Sequence, residues 1–310
     1  MISRRSLLQS AAAGCCASLL QGPAAADPTL QQKFDLGFSL YGMKTVALGE
    51  SLRACAEIGY THVELCLNEG YPTAMDLFHG EVLDETRELL QELRLNAPCL
   101  MVLMKLTATN QEHSASLEKI AAAATIARSL NPAAPPLLET VVGGSPALWD
   151  EQKKGMVKQL RDWAEVAENS GVKIAIKAHV GSAVNSPERL LWLLDQVPSK
   201  ALTAAYDFSH FELQGLDLEQ TLRTSLPRTS FIHVKDTTGD ASKFRFLLPG
   251  QGRTDYVRYF GLLKELNYTG PICVEVSGQV FGQPGYDPLQ AARSCWDALN
   301  NAAAKSNHSQ

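Results

Sequence analysis

Short apolar runs alternate along this chain with longer stretches in which apolar side chains recur every three or four positions. The first pattern predicts strands and the second amphipathic helices. Strands are expected over 36–40, 62–67, 98–104, 137–142, 173–177, 202–207, 230–235 and 271–276. Helices are expected over 48–58, 82–93, 114–130, 147–168, 218–224, 255–266 and 288–303, with a further one opening at Ser186-Pro187-Glu188. Ser145-Pro146 and Ser186-Pro187 are good helix starts, because proline's missing N–H costs nothing in a first turn. Strands joined by helices pair in parallel with right-handed crossovers. Eight such units predict an α/β fold, a closed (β/α)8 TIM barrel in a single domain. A doubly wound open sheet is the alternative, but no glycine-rich phosphate loop follows the first strand.

The first 26 residues read differently. Arg4-Arg5 precede an apolar stretch from Leu7 to Leu20, and Ala24-Ala25-Ala26 precede Asp27. That order is expected of a cleaved secretory signal of the twin-arginine type, which places the mature protein in the periplasm or outside the cell. The apolar core is short for a transmembrane anchor, which takes about 20 residues. Gly14-Cys15 bears a faint likeness to a lipoprotein cleavage site. The barrel is expected over 27–304 and a polar tail over 305–310.

The charge narrows the partners. The chain carries 28 basic and 33 acidic residues, a net charge of −5, and losing Arg4 and Arg5 makes it more negative. Nucleic acid is excluded as a partner, since phosphate binding needs clustered basic surface. Cys55, Cys66, Cys99, Cys273 and Cys295 are widely spaced, odd in number and form no disulfide framework or paired zinc-ligand spacing. They read as buried thiols.

Four strands end in acids, a lysine or histidines: Lys177-Ala178-His179, Asp207-Phe208-Ser209-His210, His233-Val234-Lys235 and Glu275-Val276-Ser277. Strand residues two apart share a face, and the C-terminal ends of barrel strands open into one pocket. Asp207, His210, His233 and Glu275 are therefore expected together. Carboxylate oxygens and imidazoles are the donors a divalent ion needs.

On these elements the sequence resembles the xylose isomerase-like TIM barrels, which include sugar isomerases, epimerases and apurinic endonucleases. Tyr206-Asp207-Phe208-Ser209-His210 is similar to the family's Asp-x-x-His element, and His233-Val234-Lys235-Asp236 to its His-x-Lys-Asp element. Val274-Glu275 resembles the last-strand glutamate, Gly250-Gln251-Gly252 with Asp255 the Gly-x-Gly…Asp loop, and Gly59 to Glu64 the second-strand element ending in glutamate. The resemblance implies that Asp207, His233 and Glu275 bind Mn, Mg, Co or Zn. One position departs: Lys177 stands where the family has its strand-five glutamate. Three outcomes follow: Glu139 swings in as fourth ligand, the three remaining ligands hold the ion with water, or the ion is lost and Lys177 pairs with Glu139 or Glu275.

The resemblance further implies a small carbohydrate substrate and proton abstraction beside a carbonyl. Glu275, Lys177 and His179 are the candidate catalytic groups, while Glu64, His210 and Lys235 are candidate substrate contacts. A metal-dependent isomerase or epimerase leads. A lyase or hydrolase of keto-sugar glycosides uses the same first step, and a carbohydrate-binding barrel without turnover is the reading from another class. Because Lys177 replaces a carboxylate, a symmetric pair of carboxylate bases is not expected. The oligomeric state is not encoded in these motifs.

Overall fold

The computed structural model describes residues 34–307 apart from residue 108. The expected signal over 1–26 and residues 308–310 of the expected tail lie outside the described residues. Eight parallel strands close a barrel: β1 (Leu36–Ser39), β2 (His62–Cys66), β3 (Asn96–Met101), β4 (Leu137–Val141), β5 (Ile174–Lys177), β6 (Leu202–Asp207), β7 (Thr229–Val234) and β10 (Ile272–Val274). Around the ring they run β1-β10-β7-β6-β5-β4-β3-β2. Each stands beside its neighbours in sequence, as successive crossovers of one hand require. The expected fold class is thus the observed one.

The strands are buried on both faces, which explains their near-continuous apolar composition. Inside the barrel, Cys99, Ala175, Ala205, Phe231 and Cys273 form a small packed layer. Outside it, wholly buried Trp163, Phe38 and Phe260 belong to the larger core between strands and helices. The two alanines leave room above them for longer side chains on β5 and β6. All five described cysteines are free and buried.

Two segments differ from the sequence expectation. Residues 243–246, expected as a loop, form strand β9 (Lys243–Leu247), which pairs antiparallel with β8 (Asp236–Asp240). Alternation along β9 exposes Lys243 and Arg245 and buries Phe246. The final helix, Pro288–Lys305, runs into the expected tail. There Ser306 is buried and accepts a hydrogen bond from Lys264 Nζ at 2.7 Å.

Asp236 ties the hairpin's return to its start. Its Oδ2 accepts from the backbone N–H of Gly250 (2.7 Å) and Gly252 (2.8 Å), and its Oδ1 from that of Thr254 (3.3 Å). Glycine is required at 252, because an added Cβ would lie 2.7 Å from both Asp236 Cβ and Thr237 O. Gly252→Ala should therefore destabilise the fold by about 1–3 kcal/mol, measured by urea denaturation.

At the opposite end of the barrel, His62 lies flat over Gly37, where a Cβ would come within 2.1 Å of His62 Cδ2. Among the described residues its Nε2 has no hydrogen-bond partner. Burial pushes the imidazole down from 6.5 to about 4, against a smaller opposing pull from Glu64. The unfolded chain therefore binds a proton that the folded chain refuses. The contribution of neutral His62 is complete above pH 6.5 and is lost as pH falls toward 4. Denaturation at pH 7 and pH 4.5 should show a loss of a few kcal/mol (about 3 at full protonation), and His62→Gln should shrink that difference.

Candidate active site

At the C-terminal mouth of the barrel is a cavity of about 140 Å³. Its charged and polar lining comes from Glu139 on β4, Lys177 on β5, His179 and His210 just past β5 and β6, Lys235 past β7 and Glu275 past β10. Tyr41, Met101 and Phe246 supply apolar wall. The strand ends thus converge as the sequence implies.

Lys177 is the centre of the arrangement. It is 2% exposed, and its Nζ donates to Glu275 Oε2 at 3.0 Å and to His233 Nδ1 at 2.9 Å. The same nitrogen lies 3.2 Å from Glu139 Oε1, close enough to attract but without an aligned hydrogen bond. Burial opposes the lysine's charge, yet Glu139 and Glu275 outweigh it and hold the amine well above its ordinary pKa. That direction is opposite to the one a neighbouring metal ion would impose.

His233 is oriented from both sides. Its Nδ1 accepts from Lys177, so Nε2 carries the proton toward Glu64 Oε2, 3.0 Å away. Glu64 also accepts from Ser39 Oγ (2.5 Å) and Cys99 Sγ (3.1 Å). Burial alone would raise its pKa, but His233 and Ser39 hold the carboxyl below its usual value. Glu64 is wholly buried and does not line the cavity. Expected as a substrate contact, it is bonded instead to His233, Ser39 and Cys99 below the cavity. Ser39 and Cys99, which complete this support, carry no motif that would have marked them.

Lys235 makes two ion pairs, with Asp207 Oδ2 and Glu275 Oε2. Asp236, its sequence neighbour, is occupied by the backbone amides of the glycine loop. Asp207 Oδ1 accepts from Ser209 Oγ at 2.5 Å and from Ser209 N at 3.2 Å, while His210 Nε2 lies 3.4 Å from Oδ2. Burial works against both carboxylates. Lys235 overrides it at Asp207, and Lys177 and Lys235 override it at Glu275, so both stay ionised well below the normal range. Glu139 differs: its burial outweighs the attraction of Lys177, and its pKa is raised.

The two histidines are neutral. Burial, then each other's proximity or the neighbouring lysines, brings His179 to about 2, and burial brings His210 to about 4 against the pull of Asp207. His179 Nδ1 accepts from Gly181 N–H at 3.1 Å, which leaves its Nε2–H as a donor. The imidazole centroids are 4.2 Å apart. Phe246 covers them, edge-on to His210 at 5.2 Å and 5.0 Å from Lys235 Nζ. Phe246 was given no role in the sequence, where Lys243-Phe244-Arg245-Phe246 falls in the loop between the expected seventh strand and the helix over 255–266.

Asp207, His233 and Glu275 present donor atoms within 4.8 Å of one another, a grouping of the kind that can hold a metal ion. Whether a dication fits beside Lys177 is a question of distance. His233 Nδ1 and Glu275 Oε2 are 3.7 Å apart. An ion bonded to both at about 2.1 Å would stand no more than about 3.3 Å from the ammonium nitrogen. At an effective dielectric of about 20 that repulsion is about 10 kcal/mol. The donor set suits a dication in kind, but it does not fit one while Lys177 stays where it is.

Comparison with known proteins agrees with this architecture. The family model for the xylose isomerase-like TIM barrel matches residues 52–298. The inosose dehydratase of Clostridium tetani is 26% identical over 145 residues, 42% of this chain and 49% of that protein. The inosose isomerase of Bacillus subtilis is 27% identical over 133 residues, 41% of this chain and 48% of that protein. The chain thus matches about half the length of these curated relatives. Among solved structures, a zinc-bound IolI protein superposes with a TM-score of 0.73 at 20% identity, covering 88% of this chain and 99% of that one. The 3-keto-D-glucoside 4-epimerase of E. coli gives 0.69 at 17% identity, covering 87% and 100%. The closed barrel, its strand-end elements and the matched length lead to one assignment: the chain belongs to the xylose isomerase-like TIM barrel family.

Proposed function

We propose that the protein is a sugar-modifying isomerase or epimerase that removes a proton from the carbon beside a carbonyl. The observation that carries this reading is a pair of carboxyl groups facing each other across the barrel. In the ring order, β4 and β10 stand diametrically opposite. They bring Glu139 and Glu275 to the cavity, with Lys177 Nζ between them at 3.2 and 3.0 Å. On this reading Glu139 on β4 serves as the second carboxyl that the lysine at 177 removes from β5.

The two carboxyls are not equivalent. Glu275 is held ionised and suits a base, while buried Glu139 is held toward its protonated form and suits an acid. Environments that push two carboxyls apart in this manner are how one site runs both halves of a proton transfer. Glu275 takes the proton from one face of the carbon acid, and Glu139 returns one to the opposite face, which inverts the centre. Lys177 and Lys235 each keep one N–H outside their strong pairings. Those N–H groups suit the oxygen on which negative charge develops. His179 Nε2–H and His210 suit the hydroxyls of a polyol, and Phe246 its apolar face.

A second reading is elimination, in which the proton from Glu139 goes to a departing hydroxyl. Its support is that several relatives matched over about half their length are inosose dehydratases.

Incubation with ketohexoses, inososes and 3-keto-glucosides in heavy water, followed by NMR, tests both readings. Deuterium at the carbon beside the carbonyl with inverted configuration is the expected result. Loss of water would support elimination, and the absence of exchange in every class would overturn both readings. Glu275→Gln should lower the turnover rate about 10²- to 10⁴-fold with a smaller change in KM. The rate should fall at acid pH only below the usual carboxylate range, as Glu275 is protonated. It should fall on the other side above that range, as Glu139 loses its proton.

A further inference from the structure

We propose that the Lys177 ammonium is this chain's built-in replacement for the divalent ion of its family, gathering the ligand side chains and offering a cationic N–H to a substrate oxygen. The second half of that statement rests on the carbonyl reading given above; the first half does not. One substitution makes both changes at once. At the end of β5 the chain loses a carboxylate ligand and gains a cation on a flexible stem.

The partners of Lys177 are those of a metal. Its Nζ lies 2.9, 3.0 and 3.2 Å from donor atoms of His233, Glu275 and Glu139, on or just past three separate strands. His233 presents Nδ1 as the acceptor to it, because an ammonium can only donate, and its other nitrogen faces Glu64. That tautomer is the one a metal-bound imidazole adopts. A proton-bearing Nδ1 would face the ammonium with like against like. Asp207, which carries no contact to Lys177 Nζ, is instead neutralised by Lys235. The two ammonium groups together supply the double positive charge of one dication.

The test uses the full chain. Wild-type protein is saturated in turn with Mn²⁺, Co²⁺ and Zn²⁺, desalted and assayed for metal by mass spectrometry. Far less than one ion per chain is expected, and its melting temperature should not differ between millimolar Mn²⁺ and EDTA. Lys177→Glu restores a ligand and removes the cation, so it should retain one ion per chain and bind Mn²⁺ at least about 100-fold more tightly than wild type by calorimetry. A stoichiometric ion in the wild type that is lost in Asp207→Ala would overturn the proposal. So would a Lys177→Glu protein that binds no more tightly than wild type. If that variant does not fold, the metal content and melting temperature of the wild type decide alone. None of these readouts involves turnover, so a failure of the carbonyl reading leaves them interpretable.

Discussion

Four carboxyl groups (Glu64, Glu139, Asp207, Glu275), two ammonium groups (Lys177, Lys235) and two histidines (His210, His233) are buried at and just below the mouth of this barrel, with His179 half-buried beside them. Most of them are fixed by another. A buried charge without a partner costs several kcal/mol, so removing any member strands the rest. Lys177 carries the largest share of this constraint, because its nitrogen joins groups from the β4, β7 and β10 regions. β7 and β10 pair directly in the ring, whereas β4 lies on its far side. The ion cluster therefore acts as a cross-brace at the open end. Beneath it, inside the barrel, the packed layer of Cys99, Ala175, Ala205, Phe231 and Cys273 joins strands by close packing.

Support for the cluster extends away from the cavity. Ser39 and Cys99 hold Glu64, Glu64 holds His233, and His233 receives Lys177. The chain of contacts crosses β1, β3, β2 and β7 before it reaches β5, so side-chain geometry at the mouth is set by strand register. Groups held in this way need little reorganisation when charge develops on a ligand, which is where preorganised sites gain most.

Much of this was legible in the residues. Strand-end acids and histidines two apart identify a barrel mouth, and Asp207, His233 and Glu275 meet there as their elements implied. The alternation of strand and helix patterns carried the fold, because period 2 and period 3.6 leave different imprints on apolar positions. What could not be read was which polar group would satisfy which. Glu64 reads in the sequence as a substrate ligand, and its enclosure by Ser39, Cys99 and His233 appears only in the fold. Glu139 stood out as a spare ligand, but its position opposite Glu275 depends on ring order, a property of closure rather than of any one strand. The hairpin was hidden for another reason. Its strands are short and half exposed, and Lys243-Phe244-Arg245-Phe246 has too few apolar residues to distinguish it from a polar loop.

That hairpin has a consequence for how such a protein diversifies. Its base is tied by Asp236 to three backbone amides, by Thr237 to Glu212 and by the Phe246 N–H to Gln279, with no side chain from the hairpin tip involved. Its inward face delivers one aromatic ring to the cavity, while its tip at Asp240, Ala241 and Ser242 stays in solvent. The segment is in effect a cassette: length and sequence can drift at the tip without disturbing the charged cluster. Exchange of the one inward ring would reshape the cavity ceiling while leaving the charged cluster in place. Selectivity and chemistry are thereby encoded on separate stretches of chain, free to change at different rates.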